Sequence, residues 1–147
     1  MTNETHPTTR ISLGLLILRV AAGVIFAAHG GQKLFEFTIP GTTASFEDMG
    51  VPAAGLIAPA IAILEFVGGI LLALGGLTRI VALLLTLDML GAIVTVHAPL
   101  GFWVQSGGIE FVALLGAAAL ALAAAGAGRI SLDHLLLRKA LPDILVG

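Results

Sequence analysis

The sequence predicts an all-α, integral membrane four-helix bundle, and three observations predict it. Hydrophobic residues make up 58% of the chain and charged residues 11%, where a soluble domain carries about 25% charge, so most of the surface does not face water. Four apolar stretches each approach the roughly 20 residues needed to cross a bilayer. Each also holds a charged residue: Arg19, Glu65, Asp88 and Glu110 in turn. A charge at bilayer depth costs roughly 2.5–3.5 kcal/mol on insertion scales and is met by pairing or by a site. The helices are therefore expected to gather around something polar.

Span one covers about 11–34. Its apolar run continues past Arg19 for ten residues to His29, which marks a retained span, because a signal-peptide core is shorter and uncharged. Gly23, Ala27 and Gly31 recur every four residues and offer another helix a close approach. Residues 36–53 carry Pro40, Gly41, Gly50 and Pro52 and read as a loop, with one amphipathic turn over 44–49. Span two covers about 54–74 and ends at Gly75–Gly76, with Thr78 as the cap of span three, about 78–98. So short a connection makes spans two and three an antiparallel hairpin. Pro99 stops span three, and Trp103 follows where an interfacial aromatic sits. Span four covers about 107–127, with Ala113, Ala117, Ala121 and Ala125 as a second stripe of small residues. The tail, 131–141, reads as a short amphipathic interfacial helix. Residues 1–147 thus form one domain, with no length left for a soluble catalytic module.

Alternating spans bring Arg10, Arg79, Arg129, Arg138 and Lys139 to one side and Lys33 to the other. The positive-inside rule then puts both termini in the cytoplasm. The absence of cysteine removes disulfides, thiolate chemistry, iron–sulfur clusters and c-type haem. Tyrosine is absent too, and a net charge of −2 gives no basis for nucleic-acid binding.

At a rise of about 1.5 Å per residue, Arg19 and Asp88 lie roughly 13 and 15 Å from the inner edge, and Glu65 roughly 17 Å below the outer one. These depths coincide, so Arg19, Glu65 and Asp88 are expected to form a buried charge cluster, with the excess carboxylate either protonated or bonded to a hydroxyl such as Thr86. Such a cluster serves to fix helix register or, on the alternative reading, as a proton or substrate relay. A second set, His29, Lys33, His97 and Glu110, lies near the outer ends of the spans, with Trp103 beside it. These five are the candidates for binding a ligand. Asp88 and His97 are nine residues apart, hence on opposite faces of an ideal helix, which weakens the case for His97. Glu110 also suits a helix first turn, and His29 and Lys33 suit snorkelling. The carboxylates lack local ligand spacing, so no metal site is expected.

The ordered set Arg19…His29-Gly30-Gly31-Gln32-Lys33-Leu34, Phe46-x-x-Met49-Gly50-x-Pro52, Glu65-x-x-Gly68-Gly69, Leu74-Gly75-Gly76-Leu77-Thr78-Arg79, Gly107-Gly108-x-Glu110 and Gly126-x-Gly128-Arg129-x-Ser131-Leu132-Asp133 resembles the DoxX family across nearly the whole chain. The resemblance implies a four-helix protein of the bacterial inner membrane. It also implies an association with membrane oxidoreductase assemblies that handle quinones, thiols or oxidative stress. No complete catalytic motif is visible, and thiol chemistry would need a partner. On this reading the protein is a subunit or accessory of a membrane redox system with a lipid- or quinone-like site near the outer face. Its partners are then the bilayer and other membrane or redox subunits, or further copies of itself. A non-catalytic assembly or scaffold subunit is the alternative. A small proton-coupled transporter is disfavoured by the absence of an evident inverted repeat. Haem b held by His29 and His97 is disfavoured by their facing.

Overall fold

The computed structural model describes residues 7–137, and these form helices with no strand among them. Helix α1 is Pro7–Gly31 and continues as a π-helical turn, Gln32–Glu36. Helix α2 is Thr38–Asp48, α3 is Ala54–Leu74, α4 is Thr78–Ala92 and α5 is Glu110–Ala125. Beyond α4 the chain keeps coiling through a second π-helical turn, Ile93–His97, and a 3₁₀ turn, Ala98–Leu100. Three helical stretches, Thr9–Glu36, Ala54–Leu74 and Thr78–Leu100, are long and apolar enough to cross a membrane. Helix α5 is equally apolar but shorter, about 24 Å at the helical rise. The whole is an all-α membrane bundle.

In lipid, apolar helices gain little from burying apolar surface against each other, so close packing must hold them together. Helix α1 packs chiefly on α3, and α4 on α5. The α1–α3 contact is backbone on backbone: a Cβ at Gly30 would run into the Phe66 nitrogen, and one at Gly69 into the Ala27 nitrogen. The first small-residue stripe is therefore real, but its third member is Gly30 and not Gly31, which only touches the Phe66 ring. Phe26, Leu72, Leu85, Ala119 and Leu122 fill the core between the four long helices. The second stripe does not pack inside the chain. Helix α5 buries Val112, Leu115, Gly116, Ala119 and Leu122, and turns Ala117, Ala121 and Ala125 outward.

Residues 38–48, expected in a loop, are helical. Pro40 lies in the first turn of α2, where the missing N–H breaks no hydrogen bond, and Thr38, at φ +64°, makes the bend out of α1. The buried Thr42 hydroxyl donates to the Lys33 carbonyl at 2.9 Å and ties α2 down on the end of α1. We call this the cap end of the bundle, and the opposite one, where α3 meets α4, the turn end.

At the turn end Gly75, at φ +72°, closes α3, with Gly76 N–H returning to the Leu71 carbonyl. Thr78 does not cap α4. The Asp133 carboxylate does, accepting from the N–H groups of Leu77 (2.6 Å) and Thr78 (2.9 Å). Residues 131–133 are thus tucked under the α3–α4 turn, Asp133 being 1% exposed, instead of lying at an interface as expected. A π-helical turn, Asp133–Leu137, follows, with Leu135 and Leu136 exposed. The rest of the expected interfacial tail, with Arg138 and Lys139, lies outside the described residues.

Candidate functional site

The charged residues of the spans divide differently from the depth calculation. Arg19 leaves the expected cluster. Its guanidinium lies at the turn end against Gly75 and donates to the carbonyls of Ala73 and Ile130, with Asp133 the counter-charge that acts on it. The reason is register. The depth argument set the outer ends of spans one and two level, but α3 begins beyond α1, alongside α2. Glu65 therefore sits opposite Gly30 and Arg19 opposite Ala73, about 17 Å apart along α1. Thr86 plays no part either, since its hydroxyl donates to its own helix at Ala82.

Glu65 joins the second set instead. It forms a salt bridge with Lys33, the two side chains being 5% and 19% exposed. The close crossing at Gly30 and the π turn after α1 together bring Lys33 over α3. Asp88 of α4 faces both partners, its carboxyl hydrogen-bonded to that of Glu65, and its Oδ2 is buried without a further hydrogen-bond partner. A buried acceptor left unmet costs about 1–3 kcal/mol, more when charged.

These groups line one cavity of about 330 Å3. His29, Lys33, Glu65, Asp88 and His97 give it polar character, while Phe26, Phe46, Met89 and Phe111 are among its apolar walls. The facing conflict between Asp88 and His97 is resolved by the second π turn. An i→i+5 turn rotates less per residue than an α turn, so across Ile93–His97 the chain falls behind the ideal helix and His97 comes round to the cavity. His97 Nδ1 lies 2.6 Å from the Gly107 carbonyl. A carbonyl can only accept, so Nδ1 carries the proton and Nε2 stays available. The same holds for His29, whose Nδ1–H donates to Ile25 at 2.9 Å; its ring lies 5.9 Å from that of Phe111.

Two expected site residues stand apart. Glu110 accepts from Val104 N–H at 3.0 Å while its own N–H donates to the Phe102 carbonyl, so it clasps the loop before α5. Trp103 is 62% exposed and packs edge-on against Phe102. Neither is among the cavity's lining residues. Among the described residues no group of three or more His, Asp or Glu side chains is placed to hold a metal ion.

The DoxX family model matches residues 14–98, a stretch that contains every polar residue of the cavity. The chain belongs to the DoxX family. This DoxX chain is 38% identical over 121 residues to a Bacillus subtilis protein named "Putative oxidoreductase CatD", covering 82% of this chain and 85% of that one. It is 32% identical over 127 residues to the Escherichia coli inner membrane protein YqjF, covering 86% and 95%. An uncharacterized membrane protein of Mycobacterium tuberculosis is 33% identical over 138 residues, covering 86% and 83%. No solved structure gives a significant match.

The part of the DoxX site that sequence reasoning missed is its composition. Glu65 and Asp88 belong with His29, Lys33 and His97, and the signal that finds this is the pairing of Gly30 with Glu65–Phe66 across the α1–α3 crossing. Asp133 was missed as a cap because its partners lie 55 residues or more away in sequence.

Proposed function

We propose that this protein is a component of a membrane redox system that holds a small ring ligand of the quinone class in the cavity at the cap end. One observation carries the reading: the orphaned Asp88 Oδ2 beside a buried Lys33–Glu65 pair. Structural ion clusters satisfy themselves, whereas this one leaves an acceptor for something else to meet. The volume, about 330 Å3, lies at the lower end of the ligand-pocket range of about 300–1,000 Å3 and suits a single ring. Lys33 supplies hydrogen-bond donors, the free Nε2 of a histidine an acceptor, and the carboxyl groups can hold a proton at the ring oxygens. A relative carries an oxidoreductase name, which favours the redox direction. The bacterial inner membrane is the location proposed, with both termini cytoplasmic. Arg10, Arg79 and Arg129 lie at the turn end, which the positive-inside rule puts inside.

The test is titration of the full chain in nanodiscs with a short-chain benzoquinone, followed by fluorescence of its one tryptophan. Saturable quenching is expected for the wild type and only a linear, unsaturable response for Asp88→Leu. A linear response from both overturns the reading. The visible spectrum of the same sample also tests for haem b.

A second reading has its own observation: the outward face of α5, Ala117, Ala121 and Ala125, leaves a smooth surface on which another membrane helix can pack. On it the chain is an assembly subunit, and Ala121→Trp would release its partners while leaving ligand binding intact.

A further inference from the structure

A second, larger hollow adjoins the polar cavity. It is an apolar groove of about 450 Å3 between α3 and α4, with walls that include Ile57, Leu64, Leu84, Leu87 and Gly91. Leu84, Leu87 and Gly91 follow one face of α4 for two turns, and all three are exposed, on a stretch apolar enough to lie in a membrane. The groove and the cavity share Phe46, Ile61, Asp88, Ala92 and Val96. Asp88 is the only ionisable residue of the groove and stands where the two meet.

We infer that the ligand is a tailed amphiphile that enters sideways from the lipid, with its hydrocarbon tail in the α3–α4 groove and an oxygen of a neutral ring meeting Asp88. This rests on the quinone-class reading and names the form of ligand within it. The tail follows from continuity: a lipid-facing apolar channel that ends on a carboxylate matches a molecule with one apolar and one polar end. The head follows from charge. Lys33 faces two carboxylates, Glu65 and Asp88, so the pocket has no cation to spare for a phosphate, and ordinary anionic lipids are disfavoured. Asp88 and Glu65 are hydrogen-bonded carboxyl to carboxyl and so share a proton. Asp88 can then either give a hydrogen bond to a ring oxygen or take one from it, and a neutral head suits both.

Gly91 provides a clean probe. A Cβ there meets nothing within 4 Å, so a side chain can start at this position of the groove wall, and Gly91→Trp puts its bulk into the groove. In nanodiscs holding the full chain, a decyl-tailed hydroquinone is expected to bind at least tenfold tighter, per mole fraction in lipid, than a tailless hydroquinone. Gly91→Trp should weaken the tailed hydroquinone about tenfold and change the affinity of a tailless hydroquinone less than twofold. If both ring compounds bind but Gly91→Trp affects them equally, or neither, the groove assignment fails while the quinone-class reading stands. If no quinone or hydroquinone binds the wild type, both readings fall together. Displacement of the hydroquinone by anionic phospholipid would overturn the charge argument.

Discussion

At the scale of single residues the Lys33–Glu65 pair carries the sharpest consequence. Removing one partner of a buried pair leaves a bare charge and costs about 3–5 kcal/mol, while replacing both by apolar groups is often neutral. Lys33→Met should therefore destabilise the protein by about that much in reversible unfolding in mixed micelles. Adding Glu65→Leu should restore most of the loss. Equal stability of the single variant and the wild type would show the pair to be idle. At the turn end, Asp133→Ala removes both acceptors for the first N–H groups of α4 and should cost about 1–2 kcal/mol, the size of a lost N-cap. Asp133→Asn should cost less. Neither role shows in local sequence. The depth of Glu65 was legible from the helical rise, but its level relative to α1 depends on where α3 starts, and α2 sets that. Arg19 shows the same limit: its partners are carbonyls of Ala73 and Ile130, and no pattern of side-chain types announces a backbone acceptor.

For whole elements, the α1–α3 crossing is what aligns the cavity. Gly30→Ala forces a methyl into the Phe66 backbone and should separate the helices, lowering both the unfolding midpoint and ligand affinity. Gly14→Ala is the matched control. A Cβ there meets nothing within 4 Å, and helix propensity favours alanine by about 1 kcal/mol. If the two substitutions behave alike, the crossing is not as tight as described. The spans themselves were readable because twenty apolar residues in a row have few other uses. Helix α2 was not, since Pro40, Gly41 and Gly50 look the same in a loop as they do at a helix start and just past its end. The alanine stripe of α5 misled for a different reason. Small residues mark where a helix can be approached closely, not whether this chain makes the approach.

Taken whole, the bundle is asymmetric: the turn end is laced by Arg19 and Asp133, and the cap end holds the cavity. Its orientation can be read directly, because the chain has no cysteine to give background labelling. In intact cells a membrane-impermeant maleimide should label Ser106→Cys at the cap end and reach Leu136→Cys only after lysis. The reverse result would invert the proposed topology. The sequence carried the fold class, the antiparallel hairpin of α3 and α4 and the list of polar residues. It did not carry their grouping, which needs the relative slide of helices and two irregular turns. Those turns have a further consequence. A π turn is an α turn with one residue inserted, so residues beyond it keep the facing that a helix one residue shorter would give them. Deleting Thr95, an exposed residue whose hydroxyl only returns to Gly91, removes no side chain of the polar cavity. His97 would then stand eight α-helical residues after Asp88, about 80° round from it, much where the π turn already puts it. A single-residue loss is therefore expected to spare the site. Relaxing the turn to an α-helix at full length would instead swing His97 by about 100° toward the opposite face.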